Sequence, residues 1–528
     1  MMHLKCDNQP HARLSSTLTL TNLTEEQSES VKESLTFENP DYKNALRYSG
    51  YGATTLPKYL NYYVQRGSQL IVPAGFDYRQ LGITRICDTR VKVPVEVPPF
   101  VLTLRDDQER AARAFLRSNK PRGSQCGMIQ MPTGKGKTVM GIYLAYALKQ
   151  RTLVIVHKSD LVRGWKKDAE IAFDGKIKVG IIGGGKRVIG DFITVATVQT
   201  LNKLSDEEFA ELQDAFGFVI VDECHHIAAS SYDLVNNLNA RYKLGLTATP
   251  ERKDGLSHLM TDYLGDFCFQ LTSAPNDKDI LPVDIIMRDC DAFVDPVCTV
   301  VKNDQNKVLK YQLSDLYSPA TKKLEKDQIR LSEIADYRKR PRIPFTDMLS
   351  VVFSRKEFNN MVIKDMIYEI EAGHSCIAFF NLKEHCSLYY YKLINAGVPK
   401  ELIQIYNGDC SAKQLEECLQ RAESKDALMT LTTFSKSTEG TNVNAWEVGF
   451  MVGSTNDGKN AEQAVGRIRR LAPNKLKRAR MYDYCLKNVP MLARHTQTRV
   501  KRYQKLGFRF VDNSQNTPKI FRRGYKRY

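Results

Sequence analysis

Between residues 100 and 275 short apolar runs alternate with stretches of helical periodicity. The runs Gly127–Gln130, Thr152–Val156, Val179–Ile182, Phe192–Ala196 and Phe218–Val221 have strand length, and helical stretches such as Lys137–Lys149 lie between most of them. Strands alternating with helices predict a parallel sheet with helices on both faces. The alternation returns after about residue 346, with a helix expected over Glu357–Ala372 and strands over Ser375–Phe380, Leu402–Ile405, Ala427–Leu431 and Val448–Val452. A second α/β domain follows from it. Residues 41–100 carry shorter runs, Gln69–Pro73 and Val91–Val97, broken by Gly and Pro, and residues 294–345 are charged and weakly patterned. The expected organisation is a small α+β N-terminal domain over 1–100, a first α/β domain over 101–280, a linker or insertion over 281–345, a second α/β domain over 346–485, and a basic C-terminal extension over 486–528.

The candidate chemistry sits at the ends of the predicted strands. Gly127–Gln130 runs into MPTGKGKT, Met131–Thr138, and then into a helix. Gly134 and Gly136 let the backbone turn its N–H groups toward a phosphate, and the helix N-terminus behind them adds a positive dipole. Pro132, Thr133, Gly134, Lys135 and Gly136 are expected to form the cradle, Lys137 to reach the β- and γ-phosphates, and the Thr138 hydroxyl to ligate Mg²⁺. Met131 stands where the strict phosphate-loop pattern has its first glycine. The apolar strand in FVIVDECHH, Phe218–His226, ends in two carboxylates. At the carboxyl edge of a parallel sheet, Asp222 would hold Mg²⁺ through water and Glu223 would orient and deprotonate an attacking water. His225 would sense the γ-phosphate, and Thr247 and Thr249 of GLTATPER would link the metal site to a moving part. In QAVGRIRR, Gln463–Arg470, Arg467 and Arg470 are three residues apart, which on a helix puts both on one face, from which two guanidiniums can reach a γ-phosphate as arginine fingers do.

Composition narrows the class. Of 528 residues, 42% are hydrophobic and 26% charged, which is ordinary for a globular protein. No apolar run is long enough to span a bilayer, and MMHLKCDNQPHARL lacks the apolar stretch of a secretory signal. An intracellular, soluble protein without membrane partners is expected. The 12 cysteines include no Cys-x-x-Cys pair and read as reduced thiols. His374, Cys376, His385 and Cys386 do not have standard metal-ligand spacing and read as strand and helix residues. The net charge of +17 is concentrated: residues 464–528 hold 19 Lys/Arg against 2 Asp/Glu. Such a block favours a polyanion through counterion release. Tyr482, Tyr484, Tyr503, Phe508, Phe510, Phe521, Tyr525 and Tyr528 lie among these cations, where aromatics can stack on bases.

Taken in order, LRDDQ (Leu104–Gln108), MPTGKGKT, VIVHKSDLVRGW (Val154–Trp165), ITVATVQTL (Ile193–Leu201), VDECHH, GLTATPERKDG, the Thr438–Val443 segment and QAVGRIRR resemble the motif series of superfamily 2 helicases. The resemblance runs from Leu104 to Arg470. Within that superfamily the chain is similar to the DExH branch of phage and large-virus DNA helicases related to the UvsW and XPB proteins. LRDDQ, GLTATPERKDG, FSRKEFNNMVIKDMI and the Leu70–Gly75 segment carry this finer likeness. The resemblance implies two tandem RecA-like parallel-sheet domains with ATP and Mg²⁺ between them. It implies adenine contact by Gln108, hydrolysis by Lys137, Thr138, Asp222 and Glu223, and completion of the site by Arg467 and Arg470. Gly440, Asn442 and Gln463 would be further nucleotide contacts, Asn442 to a ribose, and Lys158, Thr197 and Gln199 would lie near the nucleic-acid track. The sequence departs from the family pattern at His157, in place of Pro, at Gly164, in place of Gln, and at Gly440-Thr441-Asn442 with Asn444, in place of a Gly-x-Asp with a following Pro. DNA is the expected track, with replication, repair or transcription proteins as partners. An RNA helicase, a translocase that does not unwind and serves a nuclease or transcription complex, and a binding protein with a relic ATP fold are the alternative readings.

Overall fold

The computed structural model describes residues 10–48, 56–118, 126–132, 134–226, 232–248, 257–271, 280–290, 294–305, 308–318, 322–437 and 443–511. The chain divides into two compact units, residues 1–272 and 273–528.

The first unit opens with a five-stranded sheet in the order Val64–Arg66, Gln69–Pro73, Thr17–Thr21, His11–Leu14, Ile86–Asp88. TLTLT alternates strictly, so Leu18 and Leu20 face the helix Glu25–Ser34 and bury with Ala12, Leu14, Val31 and Val72. That helix starts on a capping box between Thr24 and Gln27. Val91–Val97 does not form a strand. It makes only single bridges at Val91 and Pro94, because Pro94, Pro98 and Pro99 remove the donors a ladder needs. The small sheet docks on the rest of the unit where the Gly75 N–H donates to the Asp262 carbonyl at 2.6 Å. A Cβ at Gly75 would lie 2.3 Å from that oxygen, so only glycine permits the approach.

The main sheet of this unit has eight strands. In chain order the elements are α1 (Asp106–Leu116), β1 (Cys126–Gln130), α2 (Lys137–Leu148), β2 (Thr152–Val156), α3 (Ser159–Ala172), β3 (Gly180–Gly183), β4 (Lys186–Val188), β5 (Ile193–Thr197), β6 (Phe218–Val221), β7 (Tyr242–Thr247) and β8 (Phe267–Gln270). The strand order is β4-β3-β5-β2-β6-β7-β1-β8, and every pairing is parallel except β3–β4. Residues of β2, β5, β6 and β7 are buried throughout, as a sheet covered on both faces requires. The register pairs Val221 with Gly245 and Thr247 with Gln130, so β1 and β7 end level and β6 stops two residues earlier, just before Asp222 and Glu223.

The second unit is built on seven parallel strands. They are β9 (Val283–Cys290), β10 (Cys376–Phe380), β11 (Ile403–Tyr406), β12 (Met429–Thr433), β13 (Val448–Met451), β14 (Ala479–Leu486) and β15 (Arg509–Val511), in the order β11-β12-β10-β13-β14-β9-β15. Its helices include α4 (Lys356–Glu371), α5 (Lys383–Asn395), α6 (Gly458–Ile468) and α7 (Pro490–Lys505). Two expected boundaries change. The linker expected over 281–345 begins with β9, which pairs with β14 along eight residues, and it continues as a three-stranded sheet of Val297–Lys302, Val308–Asp315 and Gln328–Arg330. The extension expected from residue 486 supplies α7 and β15, so residues 486–511 belong to the folded unit.

The aromatics of the basic segment are core groups rather than a stacking surface. Tyr482, Tyr484, Tyr503 and Phe508 are buried, and Phe510 packs against the same core. The Tyr482 and Tyr484 hydroxyls donate to the buried carboxylates of Glu369 and Asp365 on α4, at 2.7 and 3.2 Å. Phe521, Tyr525 and Tyr528 lie outside the described residues. Arg499 of α7 forks onto Asp483 of β14 at 2.8 and 2.6 Å, and Tyr503 donates to the same carboxylate at 3.0 Å. Both charged partners are buried. Arg499→Met leaves Asp483 as an uncompensated buried charge, and chemical denaturation is expected to show a loss of about 3–5 kcal/mol.

The histidine–cysteine cluster considered at the sequence level is structural. His374 pairs with Glu369 at 2.6 Å, and His385 stacks on Phe353 with ring centroids 3.7 Å apart. Among the described residues there is no group of three or more potential metal ligands, and no helix is long and apolar enough to cross a membrane.

Candidate active site

The carboxyl ends of β1, β6 and β7 lie at one edge of the first sheet, and the three strongest motifs leave from it. Ligands bind at that edge in open parallel sheets. After β1 the chain turns through Gly134 (φ 89°) and Gly136 (φ 73°), a left-handed region that favours glycine, and enters α2 at Lys137. Met131 is buried in the core with Met140 and Leu246, and its N–H donates to the Thr247 carbonyl at 3.0 Å. A methionine therefore replaces glycine at a position that packs inward. Thr133 lies outside the described residues.

The loop is held from α1. The Gln108 amide donates to the Gly136 carbonyl at 2.9 Å, and its oxygen accepts from the Arg105 N–H at 2.8 Å. Gln108, expected to contact adenine, is buried with its carboxamide engaged on the loop. A Cβ at Gly136 would lie 2.3 Å from that amide nitrogen. Lys135 is also buried, with its ammonium 2.8 Å from the Asp107 carboxylate. The side chain of Lys135 thus fastens the loop to α1.

Lys137 points along the sheet edge. Its Nζ lies 3.2 Å from the Met131 carbonyl and 3.3 Å from Glu223 Oε1. Asp222 follows β6 and is buried, and its Oδ2 accepts from the Trp165 indole N–H at 2.8 Å. Glu223 sits at φ 46°, a strained angle for a side chain with a Cβ. Its N–H donates to Asp222 Oδ1 at 2.9 Å, and its Oε2 accepts from the Ala248 N–H at 3.3 Å. His225 Nδ1 lies 3.5 Å from Glu223 Oε2 and 2.8 Å from the Thr247 hydroxyl. Lys137, Asp222, Glu223, His225 and Thr247 are therefore one connected cluster. Thr138 is the second residue of α2, at the same helix end. Thr249 lies outside the described residues.

Burial pushes the Asp222 carboxyl up to about 6, and the neighbouring Glu223 charge pushes the same way. The Trp165 hydrogen bond and the Lys137 charge oppose them. Two carboxylates thus share the ammonium of Lys137, which leaves the cluster short of positive charge. A hydroxyl and a carboxylate are hard oxygen donors, so Thr138 and Asp222 fit a divalent cation such as Mg²⁺.

Trp165 is a site residue that motif reading does not single out. It reaches Asp222 from α3 because Gly141 on α2 makes room, a Cβ there lying 2.8 Å from the indole ring. The signal available in the sequence is one of only two tryptophans, inside VIVHKSDLVRGW. Asp107, the partner of Lys135, is likewise visible only as the second acid of LRDDQ.

The residues expected near a nucleic-acid track occupy two loop ends. Lys158 precedes α3, and Thr197 caps the short helix Val198–Leu201, its hydroxyl accepting from the Thr200 N–H at 3.3 Å. Gln199 donates to the His157 carbonyl at 2.7 Å. In the second unit Gln463 and Arg467 are buried on α6. The helix ends at Ile468, so Arg470 does not share a helix face with Arg467 as expected. The chain leaves the helix because the Leu281 N–H donates to the Arg469 carbonyl at 2.7 Å and the Arg469 guanidinium returns a bond to the Leu281 carbonyl at 3.1 Å. Gly440 and Asn442 lie outside the described residues.

Residues 101–252 match the family described as Type III restriction enzyme, res subunit. Over 198 residues the chain is 33% identical to probable helicase D10 of Escherichia phage T5, an alignment that covers 37% of this chain and 40% of that protein. Over 170 residues it is 35% identical to DNA 3'-5' translocase XPB2 of Sulfurisphaera tokodaii, covering 32% of this chain and 36% of the relative. The chain thus spans well under half the length of these relatives. In structure it is similar to S. cerevisiae Dbp5 bound to RNA and ADP BeF3, with a TM-score of 0.51, 13% identity, and 78% and 90% of the two chains covered. That similarity concerns the fold, two RecA-like α/β domains in tandem.

Proposed function

We propose that this chain, a relative of the superfamily 2 helicases of phage and XPB type, is an ATP-dependent DNA helicase or translocase. The observation that carries the reading is the linked cluster of Lys137, Asp222 and Glu223 at one sheet edge, beside a glycine loop and a helix N-terminus. In this reading the loop N–H groups and Lys137 bind the phosphates of ATP. Glu223, held by Ala248 and within reach of His225, orients the attacking water and takes its proton. Thr138 and Asp222 hold Mg²⁺, which when bound neutralises charge on the phosphates. Arg467 and Arg470 of the second unit meet the γ-phosphate, so ATP favours the arrangement in which they gain that partner, and hydrolysis removes the differential contact. Asn442, Gly440 and Gln463 are assigned to the nucleotide by family likeness, and Lys158, Thr197 and Gln199 to the track.

DNA is favoured as the track because the XPB2 relative is described as a DNA translocase. The basic segment over residues 464–528 adds a sequence-independent attraction to phosphate backbones. Nine of its cations fall between Arg467 and Arg494 in the folded unit. The test compares ATP hydrolysis with matched single-stranded, forked and four-way DNA and with RNA of the same sequence, alongside strand-release assays. Stimulation by DNA above RNA with strand release is expected. Stimulation without strand release would leave a translocase, and stimulation by RNA alone would overturn the DNA assignment.

A further inference from the structure

The second unit contains an ammonium group bound almost entirely by main-chain oxygens. Lys475 Nζ lies 2.8 Å from the Asn444 carbonyl, 2.6 Å from that of Trp446, 2.7 Å from that of Arg470 and 3.3 Å from that of Ile468. These carbonyls come from two places. Ile468 is the last residue of α6, where the final carbonyls have no partner within the helix and carry the negative end of its dipole, and Arg470 lies two residues beyond that end. Asn444 and Trp446 lead into β13, directly after the Gly440–Asn442 segment. The Arg470 guanidinium adds a weaker link between the same two stretches, donating to the Val443 carbonyl at 3.4 Å.

The surroundings keep this clamp in place from both sides. The Glu423 carboxylate accepts from the Asn444 N–H at 2.6 Å and from its side-chain amide at 3.2 Å. The buried Glu447 carboxylate accepts from the Leu476 N–H at 2.6 Å, fixing the residue next to the lysine, and pairs with Lys425 at 3.0 Å. Burial pushes the Lys475 ammonium down to about 8, while the carboxylates of Glu447 and Glu423 favour its charged form. A compact ammonium with three rotatable donors suits four converging oxygens, whereas the planar fork of an arginine does not.

We infer that Lys475 is a positioning residue for ATP hydrolysis, which sets Arg467 and Arg470 by tying the end of α6 and the residues just beyond it to the segment that leads into β13. The proposed role needs no contact with nucleotide or track: Lys475 acts through the backbone that carries the two guanidiniums. The inference rests on the reading of Arg467 and Arg470 as γ-phosphate contacts. Misplacing a catalytic group by about 1 Å can cost about 100-fold in rate.

The experiment measures DNA-stimulated hydrolysis by the full chain carrying Lys475→Met, with kcat and KM for ATP separated, and melting and nucleotide-binding stoichiometry recorded on the same preparation. Lys475→Met is expected to lower kcat about 10- to 100-fold with KM for ATP nearly unchanged. Lys475→Gln, which keeps two donors on a shorter stem, should fall between it and the parent and serves if the methionine variant does not fold. In single-turnover reactions on an Arg467→Ala background, Lys475→Met should add little further loss, since residues acting through one another are not additive. A lower melting temperature with unchanged kcat per nucleotide-binding molecule would overturn the inference, and so would an equal loss in both backgrounds. If Arg467→Ala alone left hydrolysis intact, the arginine reading itself would fall, a result distinguishable from failure of the Lys475 role.

Discussion

Glu223→Gln is expected to slow ATP hydrolysis about 1,000-fold while leaving ATP binding nearly unchanged. The substitution preserves volume and keeps an oxygen for the Ala248 N–H, which now holds the carboxylate at 3.3 Å. What it removes is the base. It also removes one negative charge beside Asp222, one of the causes that raise that carboxyl. Single-turnover hydrolysis together with binding of a fluorescent ATP analogue separates the two quantities. Loss of binding together with hydrolysis would move Glu223 from base to structural element, and an unchanged rate would remove it from the chemistry.

The second large effect is expected at Lys137. Lys137→Ala should weaken kcat/KM for ATP about 100- to 1,000-fold, now through binding as well as turnover. Its Nζ lies 3.3 Å from Glu223 Oε1. Removing it takes away the phosphate contact and leaves two adjacent carboxylates to repel an anionic ligand. Titration of ATP by calorimetry, compared with Glu223→Gln, distinguishes the two variants: the lysine variant loses affinity and the glutamine variant keeps it. Equal affinities in the two would refute this division of labour.

Much of the first site was legible because it is local. A glycine loop between a strand and a helix, and two acids at a strand end, are patterns within ten residues, and a parallel sheet places strand ends together whatever the strand order. The links that tune the site cross longer distances. Trp165 meets Asp222 only because α3 packs on α2 at Gly141, and Lys135 meets Asp107 because α1 lies over the loop. Neither pairing has a sequence spacing of its own. The second unit was harder for the same reason. Val283–Cys290 has strand composition, but its partner lies nearly 200 residues downstream, so it read as linker. The end of α6 was missed because Leu281, whose N–H donates to the Arg469 carbonyl and whose carbonyl accepts from the Arg469 guanidinium, stops the helix before Arg470. Aromatics among cations suggested base stacking, whereas the alternation of β14 buries Tyr482 and Tyr484 against acids on α4.

The placement of β9 also has a consequence for how the protein is made. This strand, among the first residues of the second unit to leave the ribosome, lies between β14 and β15 and, among the described residues, pairs with no earlier strand. Its hydrogen-bonding groups stay without their final partners until residues 479–511 have been synthesised. Closing a parallel pair over so long a loop is slow, and the exposed strand edge is an aggregation risk in the meantime. The first unit can complete its sheet by Gln270 and needs no such wait. The second unit therefore finishes folding only after its last strands are made, and its yield in a cell depends on how well that interval is protected.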